Sequence, residues 1–413
     1  MSSLPRAHVF APFLLMAVGG FLATVDLLRT SFPVWQHLSV ALHEGLWLPG
    51  TALVGLSVLL AVLTHPRGSM LHTPVHPRAG VWDFLAQAGV VAASSLIGYA
   101  VGLLPVLIRG ARYASWGHVH FVDVIIAVAG IALLVGSGYA VGMLAGRMMM
   151  IPLAMIVTFL LLGITVEPLW RPWGLVVPVR GIEADTRFVT SPFTAIFAVL
   201  ATAVALVFLS HLLRHRLRGG RGYFTWGLAL CAVVTTAFVW RPEIYVVDPG
   251  LEQRCHEVQG TQVCLHAAHL PAQADVDEVV ARLQRAGLGE SLREVNDRSV
   301  VDRDDPRAGE AFVDIFTGPF SENTIPASTE EGVAYSAVNS LITHGCVWSK
   351  EDAPTQNRDA VMNLRNNALY LAGYEAVLDD SWSAGVRFSA QEVASIMARH
   401  AEDIDACRWD GTA

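Results

Sequence analysis

The chain has 413 residues, of which 53% are hydrophobic and only 15% charged. Ordinary soluble domains carry roughly 25% charged residues, so a single water-soluble globule is excluded. Residues 1–240 carry 14 Lys+Arg against 7 Asp+Glu, a net +7, whereas residues 241–413 carry 14 against 29, a net −15. An apolar, mildly basic part followed by an acidic, water-loving part reads as two domains in two solvents, 1–240 and 241–413. The acidic part argues against nucleic acid as a partner.

A helix crossing roughly 30 Å of hydrocarbon needs about 20 mostly apolar residues. Seven runs meet or approach that length: Val9–Leu28, Leu46–Leu63, Phe84–Ile108, Phe121–Ala145, Met148–Val166, Pro192–Leu213 and Tyr223–Trp240. The first is not read as a signal peptide, because only Arg6 is charged ahead of it and more spans follow. Gly146 and Arg147 alone join the fourth and fifth, which predicts a tight hairpin or shifted span limits. Gly138, Gly142 and Gly146 stand at four-residue spacing and expose a smooth strip for close helix approach, either inside one subunit or at a dimer face. Residues 167–191 mix three prolines, two tryptophans, arginines and acids, and read as a re-entrant or surface-lying external element.

Orientation follows the basic residues of short loops. The loop from Arg214 to Arg221 holds Arg214, Arg216, Arg218 and Arg221 without an acid, which places it inside. With seven spans the N-terminus is then cytoplasmic and the acidic domain outside. Asp26, Asp83, Asp123 and His211 all sit near predicted span ends, as interfacial charges do. Charges in span centres mark ion pathways, and their scarcity weighs against an ion-coupled carrier. His65, His72 and His76 cluster with prolines in the second loop and read as a rigid cytoplasmic turn.

Cys231 lies in the last apolar run and reads as a small hydrophobe. Cys255, Cys264, Cys346 and Cys407 all lie in the acidic domain, an even number that suggests disulfides with three possible connectivities. Gln259-Gly260 can turn a hairpin that sets Cys255 across from Cys264, leaving Cys346 for Cys407. A four-thiolate zinc site is the rival, but neither pair has CxxC spacing. Short strands are predicted at Val263–Leu265 and Ala311–Phe316. Helices are predicted over Asp275–Ala286, Glu330–Thr343, Arg358–Leu378 and Ala390–Ala406, the last with a capping box of Ser389 and Glu392. The stretch Asn296–Gly309 reads as an exposed loop. The expected fold is therefore a polytopic α-helical membrane protein of about seven transmembrane helices, followed by an extracytoplasmic α+β domain.

His266 and His269, close after Cys264 and near His256, are the best metal candidates, since imidazoles suit zinc or copper. The bland alternative is polar anchoring of the turn after the hairpin. His43-Glu44 begins an HExxH motif that Gly45-Leu46-Trp47 does not complete. Asp379-Asp380 and Glu330-Glu331 read as surface or helix-end charges. There is no arguable catalytic triad, no GxxxxGK[ST] loop and no cofactor signature. Neither enzyme activity nor a cofactor is expected.

Six spans with an external element before the sixth resemble ABC-2-type exporter permeases. The tail, with Cys255, then Val263-Cys264-Leu265-His266-Ala267-Ala268-His269 and Ala406-Cys407-Arg408-Trp409, resembles the extracytoplasmic domain of actinobacterial membrane proteins associated with ABC transporters. Their usual string is close to VC-[VL]-H-P-A, with Ala267 standing here for the proline. Those permeases begin with an amphipathic cytosolic helix, whereas here Met1–His8 precede the first span. The resemblance implies a permease-like subunit of an export system in the bacterial plasma membrane. It also implies contact with lipid, a separate cytosolic ATP-binding cassette subunit, and a homo- or heterodimer. The competing expectation is a non-transporting sensor or accessory protein whose acidic domain binds an extracellular ligand or partner.

Overall fold

The structure, a computed structural model, describes residues 6–29, 33–65, 79–114, 116–164, 188–216, 245–247, 252–301, 303, 305–315, 329–348, 354–375 and 388–411. It separates into two compact units, Met1–Arg29 with Trp35–Val247, and Thr30–Val34 with Asp248–Ala413. The main division therefore falls at 247/248, seven residues beyond the boundary drawn from charge.

The first unit contains α1 (Ala7–Thr24), α2 (Trp35–Glu44), α3 (Trp47–Thr64), α4 (Ala79–Tyr113), α5 (Phe121–Ala145) and α6 (Met150–Ile164). These are followed by β1 (Phe188–Thr190), α7 (Pro192–Arg216) and β2 (Tyr245–Val247). Among the described residues, five helical stretches are long and apolar enough to cross a membrane: Ala7–Leu28, Leu38–Thr64, Phe84–Tyr113, Phe121–Ala145 and Pro192–Ser210. The run Met148–Val166 forms α6, whose 15 residues reach only about 22 Å at 1.5 Å each. The run Tyr223–Trp240, with Cys231, lies outside the described residues, as do Arg218, Arg221, His72, His76 and most of 167–191. Arg214 and Arg216 close the last turn of α7. The short helix α2, which precedes α3 by one turn, has no counterpart among the predicted elements.

Lipid-facing and inward surfaces separate along α1. Phe10, Leu14, Val18 and Leu22 are exposed, while His8, Pro12, Met16, Gly20 and Thr24 are buried. Both sets repeat every four residues, so they occupy opposite faces of one helix. Glycine sets the helix contacts. A Cβ on Gly98 of α4 would meet the Phe13 carbonyl oxygen of α1 at 2.2 Å, and one on Gly102 would meet that of Ala17 at 2.3 Å. On α5, a Cβ on Gly138 would lie 2.7 Å from the Val54 carbonyl oxygen of α3, and one on Gly142 2.6 Å from that of Val58. Gly138 and Gly142 therefore serve packing inside one subunit. Gly146 instead terminates the helix. At φ 56° it ends α5 in the left-handed conformation and returns its N–H to Gly142.

The second unit is built on a four-stranded sheet in the order β3-β4-β5-β6. β3 (Gln253–Val258) and β4 (Thr261–His266) form the predicted hairpin. Gln259 and Gly260 both take positive φ, 48° and 88°, as a two-residue primed turn requires. β5 (Glu294–Asp297) and β6 (Glu310–Val313) continue the sheet in parallel. Helices α8 (Gln273–Leu283), α9 (Thr329–Val338), α10 (Thr355–Leu371) and α11 (Ala390–Asp405) cover it. Val263, Leu265 and Val295 from the strands, Val276 and Val280 from α8, and Ile396 from α11 share one core. The Ser389–Glu392 capping box opens α11. Glu330 and Glu331 lie in the first turn of α9, and Asp379-Asp380 lies outside the described residues.

Cys255 is bonded to Cys264, and Cys346 to Cys407. Cys255 and Cys264 face each other directly across the hairpin. Cys407 sits at φ 58° just past α11, where Arg408 N–H closes on the Asp403 carbonyl at 2.7 Å. The second disulfide thus ties a helix terminus into the core.

Candidate functional site

Asp297 is the centre of the buried polar cluster in the acidic domain. It ends β5, is 1% exposed, and stands beside the turn that follows the hairpin. Its Oδ2 accepts from the His266 backbone N–H at 3.1 Å and pairs with His269 Nδ1 at 2.5 Å. Its Oδ1 accepts from the Ser299 N–H at 3.0 Å and the Ser299 hydroxyl at 2.6 Å. Burial alone would raise this carboxyl, but the His269 charge and the hydrogen bonds from His269 and Ser299 hold it below the ordinary carboxylate value. The stretch Asn296–Gly309 is divided: Asn296, Asp297 and Ser299 are buried, whereas Asp305, Arg307 and Ala308 are exposed as expected of a loop.

His266 and His269 stand with ring centroids 5.9 Å apart. His266 Nδ1 accepts from the Ala268 N–H at 3.1 Å, so the imidazole caps the short 3-10 turn Ala267–Ala272. His256 is not part of the cluster; it pairs with Asp277 of α8 at 2.7 Å. Among the described residues no three His, Cys, Asp or Glu side chains converge on a point where a metal could sit. Asp297 orients His269 as an acid orients a catalytic base. However, no hydroxyl or thiol of the described residues hydrogen-bonds the far nitrogen, Nε2. What this geometry does is fix the turn to the sheet.

No family model, curated protein or solved structure matches this chain. Its chemistry has to be read from its own residues.

The helical unit holds further buried polar groups. His43 of α2 pairs with Asp123 of α5 at 3.0 Å, and Thr190 of β1 donates to the same Asp123 oxygen at 2.6 Å. His43 is 0% and Asp123 1% exposed, so Asp123, which stands in the first turn of α5 as expected of a span end, is buried against protein. The aborted HExxH motif thus supplies one imidazole to a helix–helix tie. Elsewhere in the unit, His8 bonds Thr64 at 2.9 Å, His65 bonds Gln87 at 3.2 Å, and the Tyr139 hydroxyl donates to Gln87. His65, the cap residue just past α3 at the start of the second loop, is buried. Asp26, by contrast, is exposed in the turn after α1.

Sequence reasoning missed Asp297 and Thr190. Asp297-Arg-Ser299 carried a usable signal, an acidic residue two ahead of a serine, which is how a side chain caps a following turn. Thr190 carried none.

Proposed function

We propose that this chain is a membrane-held accessory protein that engages an extracytoplasmic partner through residues 248–413. One observation carries the reading: those residues form a unit with its own core and two disulfides. Disulfides persist in oxidising compartments, which supports a domain outside the cytoplasm. In the helical unit, α1–α4 and α3–α5 are locked backbone to backbone through glycines, which suits a holder.

The seven-span topology belongs to the same proposal. β1 precedes α7, β2 follows the seventh apolar run, and the two strands pair antiparallel. A transmembrane α7 carries the chain about 37 Å from β1 over its 25 residues. Reaching β2 then requires a second crossing between Arg216 and Tyr245. That puts β1, β2 and the acidic domain on one face.

The permease-like subunit of an ABC-type exporter, energised by a separate ATPase, is the second reading. The polar, proline- and tryptophan-rich sequence of 167–191 ahead of the sixth apolar run favours it. Crosslinking intact cells with an impermeant reagent, then purifying the chain, separates the two readings. We expect an extracytoplasmic partner attached to residues 248–413. A stoichiometric ATP-binding cassette subunit, with nothing bound to the domain, would overturn the accessory reading in favour of the exporter.

A further inference from the structure

The sheet of the acidic domain has one closed edge and one open edge. At the closed edge, the Phe312 N–H of β6 donates to the Ser340 hydroxyl at 2.7 Å, and that hydroxyl donates back to the Phe312 carbonyl at 3.1 Å. Asp314 N–H likewise donates to the Ser336 hydroxyl at 3.0 Å.

Among the described residues β3 has no such cover. It pairs residue for residue with β4, without a bulge or a proline. The Ala267 N–H donates to the Glu252 carbonyl at 2.9 Å, which fixes the alternation of the ladder. Arg254, His256 and Val258 therefore turn their backbone groups toward β4, while Gln253, Cys255 and Glu257 turn theirs outward. No hydrogen bond to the outward groups of these three is found among the described residues, and all three residues are exposed. Prolines, bulges and covering elements blunt exposed edges, and among the described residues β3 has none of these. The Cys255–Cys264 bond also holds it in fixed register, so little order has to be imposed when another strand arrives.

The charge around the edge selects the occupant. Along this edge Glu252 and Glu257 outnumber Arg254, within a part of the chain that carries −15. Resting on the accessory reading above, we propose that β3 docks an extended, basic peptide segment of the partner. The segment adds to the sheet as a fifth strand. A second copy of the same acidic domain is disfavoured there by like charge.

The test uses the full chain in phosphatidylcholine nanodiscs, which do not attract basic peptides. The probes are fluorescent eleven-residue peptides alternating Lys with Val, and Glu with Val. The Lys peptide should bind at least tenfold more tightly than the Glu peptide. Gln253→Pro and Glu257→Pro each remove one outward N–H without touching the β3–β4 ladder, and should weaken Lys-peptide binding at least tenfold. Glu257→Gln, which keeps the N–H, should weaken it only a few-fold. Mass mapping of the Cys255–Cys264 bond in each proline variant verifies that the hairpin still forms. Absence of Lys-peptide binding, equal binding of both peptides, or indifference to both proline changes would overturn the proposal. A crosslinked partner that survives both proline changes would leave the accessory reading standing and remove this one.

Discussion

Asp297 shows how one residue can hold a turn, a strand end and a histidine at once. Its carboxylate takes hydrogen bonds from His266, His269 and Ser299 while almost fully buried. Removing one partner of a buried pair costs about 3–5 kcal/mol, because the other is left uncompensated. Asp297→Asn should therefore lower the stability of the acidic domain by roughly 3 kcal/mol. The carboxyl is held below its ordinary value, so its contribution is present above that value, about 3.9, and disappears as pH falls through the lower, folded-state value. Hydrogen exchange of β4 and β5 between pH 2 and 7 checks both points. Wild-type protection should decline on the acid side, and the variant should start lower and respond less. Equal acid sensitivity in the two proteins would assign it to other carboxylates.

At the scale of elements, contact distance matters more than composition. Gly98 and Gly89 lie on the same helix, yet a Cβ at Gly98 would collide with the α1 backbone while one at Gly89 would meet nothing within 4 Å. Gly98→Ala should cost about 1–3 kcal/mol by forcing α1 from α4. Gly89→Ala should be neutral, or stabilising by up to about 1 kcal/mol through helix propensity. Thermal unfolding in detergent distinguishes them, and similar melting temperatures would refute the close contact. The disulfides differ in the same way. Cys255–Cys264 spans 9 residues within a hairpin that its ladder already holds, whereas Cys346–Cys407 spans 61 and anchors the end of α11. In the chain-entropy model the longer loop contributes about 4 kcal/mol and the shorter about 3. Cys346→Ser or Cys407→Ser should thus loosen the acidic domain more than Cys255→Ser, read as protease sensitivity of the non-reduced protein. The inserted helices should be unaffected by any of them.

For the whole molecule, the proposed seven crossings, which rest on the pairing of β1 with β2, predict where the C-terminus lies. A phosphatase fused after Ala413 should be active, as expected for an extracytoplasmic C-terminus. A cytoplasmic terminus would remove both the seven-crossing proposal and the accessory reading. Replacing Arg214, Arg216, Arg218 and Arg221 with glutamine should scramble the orientation of a substantial fraction of molecules, because this loop dominates the basic bias. Unchanged fusion activity would mean that other loops set the topology.

Apolar length, charge partition and cysteine placement are properties of stretches of chain, and they are readable without coordinates. They give the long apolar helices over Phe84–Ile108 and Phe121–Ala145, the acidic second unit, the Gln259-Gly260 turn and the Ser389 cap, since each rests on solvent transfer or on neighbours a few residues apart. Tertiary structure decided what depends on approach across long separations. It drew Gly138 and Gly142 against α3, turned His43 and Asp123 into an interior pair, and placed His269 on Asp297. It also took His256 away from the histidine cluster. Polar side chains show this limit most clearly: a buried hydrogen bond is fixed by geometry at both ends, and a linear pattern records neither end's position.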